Sequence, residues 1–215
     1  MTKNFNIILD IDETLIKTYI YDDSLIDNAK KLISFEQNIL FDIYRGLEYI
    51  VNDKIVIDDP LYLIHYNIEN IYYVIFIRPN LYEFIQYIDS FFNIHIYSLG
   101  SYDYILQILK CLEGKIGHKF YNSFITNNNL MSLRTKHMSN IFLSTYNTLI
   151  IDDRHDVWKY DKHILYNIES YDDYNINDNE LLKLMHIIQN YYRGNNLDHF
   201  NVYRFRHMLY MYEII

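Results

Sequence analysis

The chain predicts an α/β fold built on a central, mainly parallel β-sheet, and three features predict it. Short aliphatic runs, Asn6–Leu9, Asn93–Tyr97 and Thr148–Ile151, have the length and continuity of strands buried on both faces. Between them lie segments whose apolar residues recur every three or four positions, the period of amphipathic helices. Each run also ends in polar residues: Asp10, Asp12 and Thr14 after the first, Ser98 after the second, Asp152 and Asp153 after the third. Open α/β sheets carry their sites at the carboxyl ends of strands.

The totals fit such a fold. A chain of 215 residues, half of them apolar, is long enough to bury a substantial core and argues against global disorder. We read residues 1–215 as a single domain, with an insertion over about 20–77. The net charge of −9 disfavours nucleic acid as the main partner. One cysteine, Cys111, permits no internal disulfide, and its place in an apolar-periodic run reads as an inert helix residue. No signal peptide is evident, and no run approaches the roughly 18 apolar residues of a membrane span. The expectation is a soluble, intracellular protein, nuclear or cytoplasmic. Tyr, Asn and Ile are abundant and Gly and Pro scarce, which suggests an AT-biased genome, such as that of a large DNA virus or a parasite.

After the opening strand, Asp23 and Ser24 suit the cap of a helix with Leu25, Ile26, Ala29, Leu32 and Ile33 on its apolar side, continuing as far as Leu47. Tyr49–Val51 and Lys54–Ile57 read as one hairpin, Leu61–Tyr66 and Ile71–Ile77 as another. Together they predict a small antiparallel sheet inserted after the first strand. Arg78-Pro79 punctuates the chain, and Pro suits the first turn of a helix carrying Leu81, Phe84, Ile85 and Ile88. Ile105, Ile108, Leu109 and Leu112 line another helical face, with Gly114 as a stop. Lys119–Ile125 and His163–Ile168 read as further strands, with the polar loop Thr126–Asn129 after the first of them. Met138–Leu143 reads as a short helix, Glu180–Tyr192 as a clear amphipathic helix and Phe200–Tyr212 as a weaker one.

The polar strand ends carry the chemistry. In a parallel sheet they converge on one edge, although they are far apart in sequence. Two carboxylates as close as Asp10 and Asp12 repel, so such a pair calls for a cation or a shared proton. Oxygen ligands of this kind fit Mg2+, which is held by one or two carboxylates together with water and substrate phosphate, better than zinc. Lys136, in the segment leading to the third strand, adds a compact positive charge. The nine histidines are scattered and read as structural or surface residues. Neither a G-x-x-x-x-G-K-[ST] loop nor a G-x-G-x-x-G fingerprint is present.

These residues resemble the haloacid dehalogenase superfamily of phosphohydrolases, and within it the FCP/SCP branch that acts on the carboxy-terminal domain of RNA polymerase II. Leu9-Asp10-Ile11-Asp12-Glu13-Thr14-Leu15 is close to the branch's D-L-D-E-T-L opening. Arg78-Pro79 followed by Glu83-Phe84 looks like its R-P-x-x-x-E-F-L block, and Ser98 to Tyr104 keeps the spacing of its T-A-x-x-x-x-Y-A segment. Lys136 precedes Asp152 by 16 positions, in the branch's register. Asp152-Asp153-Arg154-His155-Asp156-Val157-Trp158 is similar to the D-D-R-E-D-V-W run of the FCP subgroup, and Asn177–Leu184 to the family's terminal helix. The resemblance covers most of the chain, residues 20–60 least, and no BRCT module is evident.

The resemblance implies a Rossmann-like haloacid dehalogenase fold and a Mg2+-dependent protein serine/threonine phosphatase. Asp10 would be the nucleophile that forms an aspartyl-phosphate, and Asp12 the general acid and then base, positioned by Thr14. Mg2+ would be held by Asp10, the backbone carbonyl of Asp12 and Asp153, with Asp152 ligating it or orienting Lys136. Ser98, Lys136 and Arg78 would bind the substrate. The implied partner is a phosphorylated peptide or protein, in particular the polymerase tail. One departure bears on specificity: Asn127 stands where the FCP subgroup commonly has an arginine. The alternatives are a phosphatase on the same fold acting on a nucleic-acid 3′-phosphate or a metabolite, and a peptide-binding relative without turnover.

Overall fold

The computed structural model describes residues 3–22, 63–68, 71–127, 135–172, 177–194, 204, 205 and 208. Its centre is a five-stranded sheet whose pairings are all parallel. Strand β1 (Phe5–Leu9) lies in the middle, because Ile7, Ile8 and Leu9 are fully buried and need neighbours on both edges and cover on both faces. Three more strands, β2 (Ile16–Asp22), β3 (Leu63–Ile68) and β4 (Ile71–Ile77), form a separate antiparallel sheet in the order β2-β4-β3. The central sheet is completed by β5 (Phe92–Tyr97), β6 (Ser123–Ile125), β7 (Thr148–Asp152) and β8 (Leu165–Asn167), and it runs β6-β5-β1-β7-β8. Register decides where the polar ends fall. Leu9 pairs with Ile96 on one side and Ile151 on the other. Asp10, Tyr97 and Asp152 therefore follow at one level.

Helices α1 (Leu81–Asp89), α2 (Tyr102–Ile116) and α3 (Glu180–Gly194) accompany the sheets. Helix α1 buries Leu81, Phe84, Ile85 and Ile88, the face expected from their spacing, and contacts β5, α2 and α3. Helix α2 buries Ile105, Ile108, Leu109 and Leu112. Each fully buried aliphatic side chain of this kind contributes about 1.5–3 kcal/mol. Cys111 sits half-buried on α2, where burial pushes its thiol up, consistent with an inert residue. Among the described residues no helix is long and apolar enough to cross a membrane.

Several elements differ from expectation. Strand β2 extends the inserted sheet back to Ile16, although its β-branched and aromatic residues follow directly on the acidic turn. Helix α1 starts at Leu81, after Asn80 in a left-handed conformation (φ 64°), so Pro79 occupies the preceding turn and not the first turn of the helix. Lys119–Ile125 pairs only from Ser123, and Met138–Leu143 narrows to a 3-10 turn over Met138–Asn140. His163–Ile168 divides into a 3-10 turn, Lys162–Ile164, and the short β8. The expected helix over 25–47 and hairpin over 49–57 lie outside the described residues, as does most of 200–212.

Helix α2 passes through Gly114 and stops at Gly117, which adopts φ 89° and whose N–H closes on the Glu113 carbonyl. Only the second glycine meets the left-handed requirement of a helix end. A Cβ at Gly114 would meet nothing within 4 Å. Gly114→Ala should therefore raise stability by about 0.5–1 kcal/mol, and Gly117→Ala should lower it by about 1–2 kcal/mol. Urea melts of the two variants check the opposite signs.

Candidate active site

The turn after β1 is built to present carboxylates. Asp10 N–H still donates to the Ile151 carbonyl at 3.0 Å, so the sheet fixes Asp10 itself. The chain then reverses, with Leu15 and Ile16 N–H both on the Ile11 carbonyl and Glu13 in a left-handed conformation (φ 61°). A non-glycine residue held there needs support, and the Tyr171 N–H supplies it by donating to the Glu13 carbonyl at 2.7 Å.

Lys136 joins the first and third strand ends. Its side chain is 2% exposed, and its ammonium lies 2.5 Å from Asp10 Oδ1 and 2.6 Å from Asp152 Oδ2. Asp152 is held further by the Trp158 indole N–H on Oδ2 (2.7 Å) and the Arg154 backbone N–H on Oδ1 (2.8 Å). One carboxylate oxygen from each of Asp10, Asp152 and Asp153 falls within 4.8 Å of the others, the donor set of a hard cation. Burial is the main cause raising Asp10 well above the usual carboxylate range; Lys136 pulls against it and Asp152 adds to it. The Asp153 carboxyl is raised mainly by burial, then by Asp152. Burial works against charge on Lys136, yet Asp10 and Asp152 together carry its ammonium above the ordinary lysine value. The two directions agree physically, since Lys136 faces two carboxylates whereas Asp10 faces one ammonium and further acids.

Asp10, Asp12, Ser98, Lys136, Asp152 and Asp153 all line one cleft of ≈ 260 Å³, together with Glu13, Gly100 and Arg154. Ser98 Oγ, buried at the end of β5, accepts the Gly100 N–H at 2.9 Å, which leaves its own proton to donate. Two expected roles are not reproduced. Thr14 makes no hydrogen bond to Asp12; it donates to Asp153 Oδ1 at 3.0 Å and accepts the Asp153 N–H at 3.1 Å, because the turn carries it toward β7. Arg78 does not reach the cleft. Its guanidinium grips both oxygens of Asp178 (2.9 and 2.8 Å) and donates to the carbonyls of Thr14 and Glu169. With a fully buried side chain, Arg78 braces the acidic turn from behind.

Sequence reasoning placed none of four residues that hold the site among the candidate site residues. Tyr104 and Thr18 contact Asp12, Trp158 donates to Asp152, and Asp178 pairs with Arg78. Tyr104 and Trp158 lay inside the motifs that carry the resemblance. Asp178 lay inside the Asn177–Leu184 segment of that resemblance, and Thr18 carried no signal of its own.

Comparison with known proteins agrees with this geometry. Phosphatases of the RNA polymerase II C-terminal domain are similar: the Schizosaccharomyces pombe protein is 26% identical over 164 residues, 76% of this chain, and the Saccharomyces cerevisiae protein 26% identical over 166 residues. The Encephalitozoon cuniculi protein is 32% identical over 89 residues, 41% of this chain. The chain spans about a fifth of the length of these relatives (20%, 22% and 21%). Among solved structures, two of the polymerase II CTD phosphatase Fcp1 (in one, from fission yeast, bound to beryllium fluoride) match 99% of this chain and 63% of theirs. Both give a TM-score of 0.57, at 18% and 19% identity, and bear out the Rossmann-like haloacid dehalogenase fold. The family model described as NLI interacting factor-like phosphatase matches residues 5–198, and the chain belongs to that family.

Proposed function

We propose that this chain is a Mg2+-dependent phosphatase of phosphoserine and phosphothreonine in polypeptides, acting through an aspartyl-phosphate on Asp10. The observation that carries the reading is the convergence of Asp10, Asp12, Lys136, Asp152 and Asp153 on one cleft. The similarity to polymerase C-terminal-domain phosphatases supports a phosphorylated polymerase tail as the substrate.

The donor set fits Mg2+. Three carboxylates with oxygens within 4.8 Å of one another stay mutually repulsive with a single ammonium among them. Asp10 and Asp153 would hold the ion by their side chains and Asp12 by its backbone carbonyl, while Asp152 orients Lys136. When bound, Mg2+ neutralises phosphoryl charge and keeps Asp10 ionised. An Asp10 oxygen forms the new bond to phosphorus as the bond to the seryl or threonyl oxygen breaks. Asp12 gives its proton to that oxygen, then takes one from the water that attacks the phosphorus. This releases inorganic phosphate and restores Asp10. Two of the three Lys136 protons serve Asp10 and Asp152, leaving one for a phosphoryl oxygen, and Ser98 offers its hydroxyl proton to another.

Turnover of phosphoserine peptides with the repeat sequence of the polymerase tail, and of p-nitrophenyl phosphate, should require Mg2+ and be lost in EDTA. Asp10→Asn should reduce it by roughly a thousandfold or more. Full activity in EDTA or in that variant would remove the reading.

Ion binding should also appear in stability. Asp10 and Asp153 are raised in the folded chain, so without metal they favour folding below the unfolded carboxylate value. That contribution fades as pH rises through their folded values and the two acids ionise against each other. The rise in Tm on adding Mg2+ should therefore grow as pH rises above the ordinary carboxylate range. Thermal melts with and without the ion measure it.

A further inference from the structure

Asp12 does not stand free in the cleft. The Tyr104 hydroxyl donates to its Oδ1 at 2.5 Å, and Thr18 Oγ1 lies 2.5 Å from the Tyr104 oxygen and 3.5 Å from the same Asp12 oxygen. A phenol has one proton. If that proton goes to Asp12, Thr18 must donate to the tyrosine oxygen, which makes a directed relay from Thr18 through Tyr104 to Asp12. Among the described residues, every hydrogen bond to the Asp12 side chain falls on Oδ1. Oδ2 is thereby left as the oxygen able to carry a transferable proton. Tyr104 comes from the first turn of α2 and is 8% exposed, and Thr18 comes from β2, so two elements outside the central sheet converge on one carboxylate oxygen.

We propose that Tyr104 is the positioning residue of the acid–base aspartate: it fixes Asp12 Oδ1, presents Oδ2 to the reacting oxygens, and stabilises the carboxylate left when the proton departs, with Thr18 strengthening its hydrogen bond. The inference rests on the phosphatase reading of the same cleft. A phenol suits this task because it stays protonated: burial, then Asp12, push its hydroxyl far above the ordinary tyrosine value. The step balances. As the bond from phosphorus to the leaving oxygen breaks, the Oδ2 proton passes to that oxygen, and the new charge on Asp12 is met by a hydrogen bond already in place.

The leaving group separates positioning from packing. A seryl oxygen departs as a strongly basic alkoxide unless it is protonated, whereas p-nitrophenolate departs without a proton. Values of kcat/KM report the steps up to formation of the phospho-enzyme, so they isolate this transfer. Tyr104→Phe keeps the ring and should lower kcat/KM for a phosphoserine peptide about tenfold to a hundredfold, and for p-nitrophenyl phosphate no more than about twofold. Thr18→Val should shift the ratio in the same direction by a smaller factor. An equal loss on both substrates in both variants, or no loss on either, overturns the role of Tyr104 and leaves the phosphatase reading intact. A wild-type chain with no Mg2+-dependent turnover of either substrate overturns both.

Discussion

The buried ammonium of Lys136 is the constraint on which the rest depends. Removing a charge from water costs several kcal/mol, and the cost is met only where good partners wait. Here the partners are Asp10 and Asp152, at the ends of two strands that pair in parallel. The register that sets Leu9 opposite Ile151 brings these carboxylates to one height. A shift of one residue would turn one of them to the other face of the sheet. Placement of the site and alignment of the sheet are thus one physical requirement. The Trp158 indole and the Arg154 backbone N–H then occupy Asp152 from other directions, so that it cannot rotate away from the lysine.

A second brace acts through the turn between β1 and β2. Glu13 sits in left-handed backbone, and the turn is tied on three sides: to Tyr171 through the Glu13 carbonyl, to Asp153 through Thr14, and to Arg78 through the Thr14 carbonyl. Arg78 also satisfies both oxygens of Asp178, just before α3. Its planar fork suits a fixed, bidentate task of this kind better than a lysine would. The segment that carries Asp10 and Asp12 is therefore connected to the end of β7, to the antiparallel sheet and to the approach to α3.

Much of this was legible in the sequence, for reasons that differ by residue. Asp10, Asp12, Ser98, Asp152 and Asp153 follow runs buried on both faces, and strand ends in parallel sheets share an edge, so their meeting needed no knowledge of contacts. Lys136 lay on no element, and its place rested on resemblance. The direction of individual hydrogen bonds was not legible. Thr14 is two positions from Asp12, yet the turn aims it at Asp153. Arg78 carries a charge that suits phosphate, and only the fold reveals Asp178 close by. Strand β2 escaped because Ile16–Asp22 follows directly on the acidic motif and pairs with residues 49 to 61 positions away. Gly114 and Gly117 are equivalent in sequence terms, and only backbone conformation separates them.

The charge balance of the cleft explains why its parts come as a set. Among the described residues, five carboxylates, Asp10, Asp12, Glu13, Asp152 and Asp153, line it against two cations, Lys136 and Arg154. Arg154 is directed outward, 55% exposed and paired with Asp156, so exposed a pair counts for little inside. A phosphoryl dianion entering such a site would meet strong repulsion unless some of this charge were cancelled. The proposed Mg2+ cancels part of it at Asp10 and Asp153. A proton on Asp12 cancels another part, and burial, the largest influence on its carboxyl, favours that proton. In the proposed mechanism, the proton that would let the phosphate approach is the one that would leave with the alcohol. Under that proposal electrostatic access and acid catalysis would place the same demand on Asp12, and the Tyr104 donor on Oδ1 would keep that proton on the other oxygen.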